Sequence, residues 1–292
     1  MARPLLLDGR VAARAVRAEL VKRVAALEAR GVKPGLRVLQ VGSDPASSIY
    51  VASKVKASAK TGIDARVELL AENAGFAAVA EAIDAWNQDP AVHGFIIQLP
   101  LPPGIDSHAA LSLVNPEKDV DGLSPASLGA LAAGRPRFMP ATPSGIIELL
   151  LRNGIAIPGR RVVIVGRGEL VGRPLASMLL LKGERGDATV TVCHSRTSDL
   201  GVVCRTAEIL VVATGRAGLV TGEMVSDGVV VVDAGTNSVG GKLVGDVDFE
   251  SVAAKASAIT PVPGGVGPMT VAMLLANTVR AAELGSGAAS CD

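Results

Sequence analysis

The sequence predicts an α/β protein of two domains, and three observations lead there. Apolar runs of strand length alternate with helical segments along most of the chain, the pattern of a parallel sheet covered by helices. In the second half the runs "RRVVIVG" (160–166), "ATVTVCH" (188–194), "AEILVVATG" (207–215) and "GVVVVDAG" (228–235) are nearly continuous in Val, Ile and Leu. Strands buried on both faces require that composition. Between the halves lies the Pro/Gly-rich passage "GRPRFMPATPSG" (134–145), where the domain boundary is placed.

Taken in order, an initial helix covers about 9–30. "LRVLQVG" (36–42) reads as a buried strand, 47 to about 60 as a helix, "ARVELL" (65–70) as a strand and 76–87 as a helix. "HGFIIQLPLP" (93–102) is a strand that runs into prolines. Past the boundary come an apolar helix at 145–151 and the four buried strands. "TPVPGGVGPMT" (260–270) then leads into a final helix ending near Leu284. If that helix packs back on the first domain, the second is an insertion. The division is then 1–143 plus about 270–292 for one domain and 144–269 for a Rossmann-like, doubly wound domain.

Composition narrows the function. Hydrophobic residues make up 49% of the 292, aromatics only 2%, so the core is built from Ala, Val, Leu and Ile. The 29 basic and 28 acidic residues leave a net charge of +1, with no Lys/Arg block and few rings to stack on bases. That argues against nucleic-acid binding. The three-leucine run in "MARPLLLDGR" is too short for a signal peptide, and the apolar runs fall short of the roughly 18 residues that suggest a membrane helix. Cys193, Cys204 and Cys291, with His93, His108 and His194, show no metal-site spacing. A reduced, cytoplasmic protein without a metal is expected, its cysteines serving as small buried hydrophobes.

"VVIVGRGELVGRP" (162–174) places glycines at 166, 168 and 172 between a strand and a helix. The spacing is G-x-G-x-x-x-G, one residue longer than the strict dinucleotide fingerprint. Glycines let the backbone approach a pyrophosphate, and the helix start supplies free N–H groups. Pro174 suits a first helical turn. Where an NAD binder places an acid after the second strand, this chain has Ser195, Arg196 and Thr197, and Arg167 lies in the glycine loop itself. Those residues suit a 2′-phosphate, which favours NADP over NAD. Arg196 as a solvated loop residue is the competing reading.

The other half offers a possible catalyst. Tyr50, the only tyrosine, and Lys54 share one helical face, while Lys56 points about 200° away. Val51, Val55 and Ala59 are the expected sheet-facing flank. By itself such a pair is most often solvated or packed. Gln98 ends an apolar run at a strand's carboxyl end, where open parallel sheets bind ligands, and a buried amide needs a partner. "NPEKDVDGL" (115–123) holds Asp119 and Asp121. It lacks the further ligands of a calcium loop, so an acidic turn capping a helix is the better reading.

Taken together, these strings resemble the bifunctional methylenetetrahydrofolate dehydrogenase/methenyltetrahydrofolate cyclohydrolase (FolD) family. The matching signatures are "YVASKVKASAKTGI", "GFIIQLPLP", "PEKDVDGL", "PATPSG", "VGRGELVGRP", "TVCHSRT", "VVDAGTN", "GDVDF" and "TPVPGGVGPMT". They follow the family's order from about residue 40 to 270. The resemblance implies NADP-dependent oxidation of 5,10-methylenetetrahydrofolate, then hydrolysis of the methenyl product to 10-formyltetrahydrofolate. It implies Lys54 as catalytic lysine, Gln98 as its partner, Tyr50 against the folate and Asp121 gripping the pterin. Pro100 and the "PVPGG" loop, with Pro263 and Gly264, would line the folate cleft. Gly166, Arg167, Gly168, Ser195, Arg196 and Thr236 would meet NADP, and a homodimer through the cofactor domains would follow.

The chain departs from the family at three places. Gly168 stands where serine is common, Ala141 where many members have cysteine, and Thr236 where isoleucine is usual. Gly168 and Thr236 keep open a single-activity cyclohydrolase with weakened cofactor binding. A nucleotide-binding regulatory module would not need Lys54, Gln98 and Asp121 together, and a hydroxy-acid dehydrogenase would need a histidine base with a carboxylate partner, a pair that the first half does not offer.

Overall fold

The computed structural model describes residues 3–287. In chain order the strands are β1 (Leu5–Leu6), β2 (Gly35–Val41), β3 (Asp64–Leu70), β4 (Gly94–Ile97), β5 (Arg161–Val165), β6 (Thr189–Cys193), β7 (Ile209–Val212), β8 (Val230–Asp233), β9 (Asn237–Val239), β10 (Lys242–Val244) and β11 (Ala258–Ile259). The helices are α1 (Gly9–Glu28), α2 (Pro45–Thr61), α3 (Phe76–Gln88), α4 (Ser107–Ser112), α5 (Pro125–Ala132), α6 (Ala141–Arg152), α7 (Gly172–Leu179), α8 (Leu200–Arg205), α9 (Phe249–Ala253) and α10 (Val266–Gly285). The chain forms two compact units. One takes Arg14–Ala141 with the chain from Val271 onward; the other takes the chain up to Ala13 with Thr142–Thr270.

The first of these units holds a parallel three-stranded sheet in the order β3-β2-β4. Every residue of β2 is buried, as a central strand demands. Its Leu39 and Val41 join Val79, Ile83, Trp86, Phe95 and Ile97 in one core, where Trp86 and Phe95 meet edge to face at 5.4 Å. β4 stops at Ile97, short of the strand expected through 102. Gln98 N–H still donates to Leu39 O at 2.8 Å, but the prolines that follow have no N–H to extend the ladder.

α2 begins where Asp44 accepts from Ser47 N–H at 2.8 Å, with Pro45 in the first turn, and ends at Gly62 in the left-handed conformation. Its buried stripe corrects the expected flank. Ser47, Val51, Lys54, Ser58 and Thr61 are buried, whereas Val55 is half-buried and Ala59 exposed. Ser58 and Thr61 tolerate burial because their hydroxyls donate to Lys54 O and Ser58 O, both at 2.9 Å.

The other unit is a parallel six-stranded sheet, β1-β11-β8-β7-β5-β6, with a β9–β10 hairpin. The central strands β5 and β7 are almost wholly buried. Sequence periodicity missed β1 and β11, which are two residues each. Their pairing, Leu5 with Ala258 and Leu6 with Ile259, draws the start of the chain to this sheet rather than to the first half. Cys193 and Cys204 lie in its apolar core, where burial raises both thiol pKa values, Cys204 to about 11. Cys291 lies outside the described residues. α6 and α10 both begin four residues before their expected starts.

Candidate active site

Lys54 is the centre of the three-stranded unit's polar site. Only 7% of the residue is exposed, and its Nζ donates to Gln98 Oε1 at 3.0 Å. Gln98 is oriented in turn by its own Nε2, which donates to Leu99 O at 2.7 Å and leaves the amide oxygen aimed at the lysine. The Lys54 ammonium lies 5.5 Å from the centroid of the Tyr50 ring, which is itself exposed. Burial pushes the Lys54 pKa below its ordinary value, and the attraction of Asp121 offsets this only in part. The helix thus turns Tyr50 and Lys54 to one side, while Lys56 is exposed.

Asp119 and Asp121 have different tasks despite being two residues apart. Asp119 is 2% exposed, and its carboxylate accepts from Gly122 N–H at 3.0 Å and Ser124 N–H at 2.9 Å. It closes the turn that precedes α5, but the helix is capped by Ser124, whose hydroxyl accepts from Ser127 N–H, so the acidic turn expected to cap a helix does not do so itself. Asp121 is half-buried by surface area yet densely surrounded by protein, and its carboxylate accepts no hydrogen bond among the described residues. Burial raises its pKa to about 6, against the pull of Lys54 and with a smaller push from Asp119. Asn277, unnoticed in the sequence, holds this turn by donating to Val120 O and Met139 O, both at 2.8 Å. A polar residue inside the apolar run of α10 was the available signal. Pro100 is exposed beyond β4 and follows a cis peptide bond.

In the six-stranded unit the glycine loop joins β5 to α7. Gly166 has φ +122°, and a Cβ there would strike the Ala213 carbonyl; one on Gly172 would strike the Gly166 carbonyl. Gly168 faces open space. The residue preceding α7, Val171, gives no side-chain cap to the first-turn amides. Arg167, Ser195 and Arg196 are exposed, and the two guanidinium groups form no ion pair among the described residues. Thr197 Oγ1 accepts from His194 N–H at 2.9 Å and so shapes the turn after β6. Arg173 N–H is taken by Gly168 O at 3.1 Å and Pro174 has no N–H, so what suits a dinucleotide carrying an extra phosphate is the close-packed glycine backbone and two free cations.

Thr236 is exposed between Gly235 and Asn237 in the same unit. Pro263 follows a cis peptide bond and is exposed; Gly264, at φ +116°, lies against the Arg10 guanidinium. The structure therefore gathers Tyr50, Lys54, Gln98 and Asp121 in one unit. The glycine loop, Ser195, Arg196, Thr236, Pro263 and Gly264 belong to the other. No group of three or more His, Cys, Asp or Glu among the described residues is placed to hold a metal, and no described helix is long and apolar enough to cross a membrane.

Comparison with known proteins agrees with this arrangement. Residues 7–121 match the tetrahydrofolate dehydrogenase/cyclohydrolase catalytic domain, and 140–286 match the NAD(P)-binding domain of the same enzymes. The bifunctional protein FolD of Moorella thermoacetica is 51% identical over 95% of this chain and 98% of its own. The bifunctional FolD enzyme of Campylobacter jejuni superposes with a TM-score of 0.92 at 45% identity, covering 96% of this chain and 98% of its own. The Trypanosoma brucei enzyme, solved with NADP and an inhibitor, gives 0.92 at 41% identity over 98% and 99%.

Proposed function

The chain belongs to the tetrahydrofolate dehydrogenase/cyclohydrolase family, and from that premise we propose that Lys54, Gln98, Asp121 and Tyr50 perform its chemistry. The enzyme oxidises 5,10-methylenetetrahydrofolate with NADP and hydrolyses the methenyl product to 10-formyltetrahydrofolate. The observation that supports the assignment is the hydrogen bond of the buried Lys54 to the half-buried Gln98 at 3.0 Å, with an Asp121 carboxylate left free of protein donors.

Asp121 offers two oxygens to the paired N–H groups of a pterin's amino-pyrimidinone edge, a fork that its ionised form favours. Tyr50 supplies a ring to cover the substrate. NADP, when bound, supplies the hydride acceptor. The substrate gains positive charge as it loses hydride, so an ammonium fixed beside it would raise the barrier. Burial at Lys54 lowers that penalty by favouring the neutral amine. In the hydrolytic step the neutral amine orients water at the methenyl carbon and takes its proton, while Gln98 fixes the amine's position. Gly166, Arg167, Gly168, Ser195, Arg196 and Thr236 would hold NADP, and Pro100, Pro263 and Gly264 the folate.

The proposed quaternary state is a homodimer through the six-stranded units. β6 leaves one sheet edge unpaired, with Val192 and Leu180 exposed by 38% and 66%. Cytoplasmic residence follows as a proposal from the folate and NADP supply the reaction needs. The assay follows reduced NADP and the methenyl chromophore separately in the purified enzyme. Hydrolysis without reduction of either NADP or NAD would overturn the bifunctional reading.

A further inference from the structure

Two buried carboxylates of the six-stranded unit have no part in the roles assigned above. Asp246 is fully buried and Asp233, at the end of β8, nearly so. Asp246 Oδ2 accepts from the Thr214 and Gly215 amides, the latter at 2.9 Å, and from the Thr214 hydroxyl at 3.0 Å. Its Oδ1 accepts from Asn237 Nδ2 at 2.8 Å. Asp233 Oδ1 accepts from the Gly235 and Asp246 amides at 2.9 and 3.0 Å, and its Oδ2 from Val247 N–H at 2.9 Å. Every carboxylate oxygen is therefore engaged, and together they tie the loops after β7, β8 and β10.

Two glycines are shaped to this clamp. A Cβ on Gly235 would collide with the Asp246 carboxylate, and one on Gly245 with that of Asp233. The clamp also abuts the glycine loop, because Gly166 packs on the carbonyl of Ala213, the residue before Thr214. The segments it fixes lie at the carboxyl ends of β7 and β8, on the side of β5 away from β6, where open parallel sheets take ligands. Gly215, Arg216 and Thr236 face solvent there, while the groups that hold them are buried.

We propose that Asp246 is a positioning residue for the dinucleotide, setting the rim formed by Thr214–Arg216 and Gly235–Asn237, with Asp233 holding Asp246 in place. The inference rests on the cofactor reading above. An ionised acceptor buried against four donors fixes loops more firmly than neutral partners would. Asn at position 246 keeps the shape but turns an NH2 toward donors it cannot satisfy.

The test is calorimetric NADP binding by the full-length enzyme, with amide hydrogen exchange at Thr214 and Gly215 and the steady-state kinetics of both reactions. Asp246→Asn is expected to raise the NADP Kd and the KM for NADP about tenfold or more. It should speed exchange at both amides and reduce the dehydrogenase rate far more than cofactor-free hydrolysis. Asn237→Ala, which removes one donor to Oδ1, gives a smaller rise of about threefold and decides the matter should Asp246→Asn not fold. An unchanged Kd in the folded variant overturns the proposal, as does equal loss of the two reactions. A wild-type enzyme that does not bind NADP overturns the cofactor reading itself, and the proposal with it.

Discussion

Asp121, half-buried in the turn before α5, and Asp246, fully buried after β10, differ in what surrounds them. Asp246 has four donors on its two oxygens, all from the protein. The Asp121 carboxylate has none among the described residues and feels the opposing charges of Lys54, itself bonded to an amide oxygen, and of Asp119. A saturated carboxylate organises the backbone around it. An unsaturated one in a site this dense costs stability unless a ligand completes it. Beside Lys54 one carboxylate is thus left without a donor, whereas the loops after β7, β8 and β10 are tied by two carboxylates whose every oxygen is engaged.

The most damaging way to break this contrast is at Lys54. Lys54→Met keeps the length of the side chain and removes the amine, so hydrolysis should fall about 10²–10⁴-fold, the range for losing a general base. NADP affinity, measured by calorimetry, should stay within twofold. Asp121→Asn comes next. It removes one charge-assisted acceptor worth roughly 1.5–3 kcal/mol, so the KM for methylenetetrahydrofolate should rise about 10–150-fold with the fold intact by circular dichroism.

The pH dependence sharpens the same comparison. Asp121 and Asp233 both titrate near 6 because burial disfavours their ionised forms. Their folded pKa values exceed the unfolded ones, so the stability they contribute is full below the ordinary carboxylate range near 4 and is lost as pH rises through about 6. Asp121→Asn should therefore flatten the change in Tm between about pH 4 and 6. Folate turnover moves the other way: kcat/KM falls below about pH 6, as Asp121 gains a proton and stops accepting two N–H bonds. The smallest effect belongs to Gly168, and its neighbour Gly166 marks the contrast within the same loop. Gly168→Ser points into open space and should alter NADP affinity by less than about threefold, while Gly166→Ala, driven into the Ala213 carbonyl, should abolish measurable binding.

Much of this was readable from the chain, for physical reasons that also explain the misses. Gln98 was visible because an amide ending an apolar run needs a partner, and the partner is Lys54. Apolar spacing points to the wrong face of α2. The stripe that is actually buried is mostly polar, and Ser58 and Thr61 satisfy themselves on their own helix. Two-residue strands such as β1 and β11 carry no periodicity to detect, yet their pairing decides where the chain's first residues belong. Asp233 and Asp246 carry no signal in "VVDAGTN" and "GDVDF", since only the fold brings the loops they clamp together. The resemblance to the folate enzymes came from motif strings, and it supplied roles that spacing alone did not.

Burial and the bond to Gln98 single out Lys54, and not its exposed neighbour Lys56, as the amine proposed to serve hydrolysis. Cofactor-free decay of 5,10-methenyltetrahydrofolate by Lys54→Met and Lys56→Met, measured side by side, tests it directly. The account predicts a loss of about 10²-fold or more for the first and a wild-type rate for the second. Hydrolysis at the wild-type rate in Lys54→Met, or an equal loss in both, would contradict it.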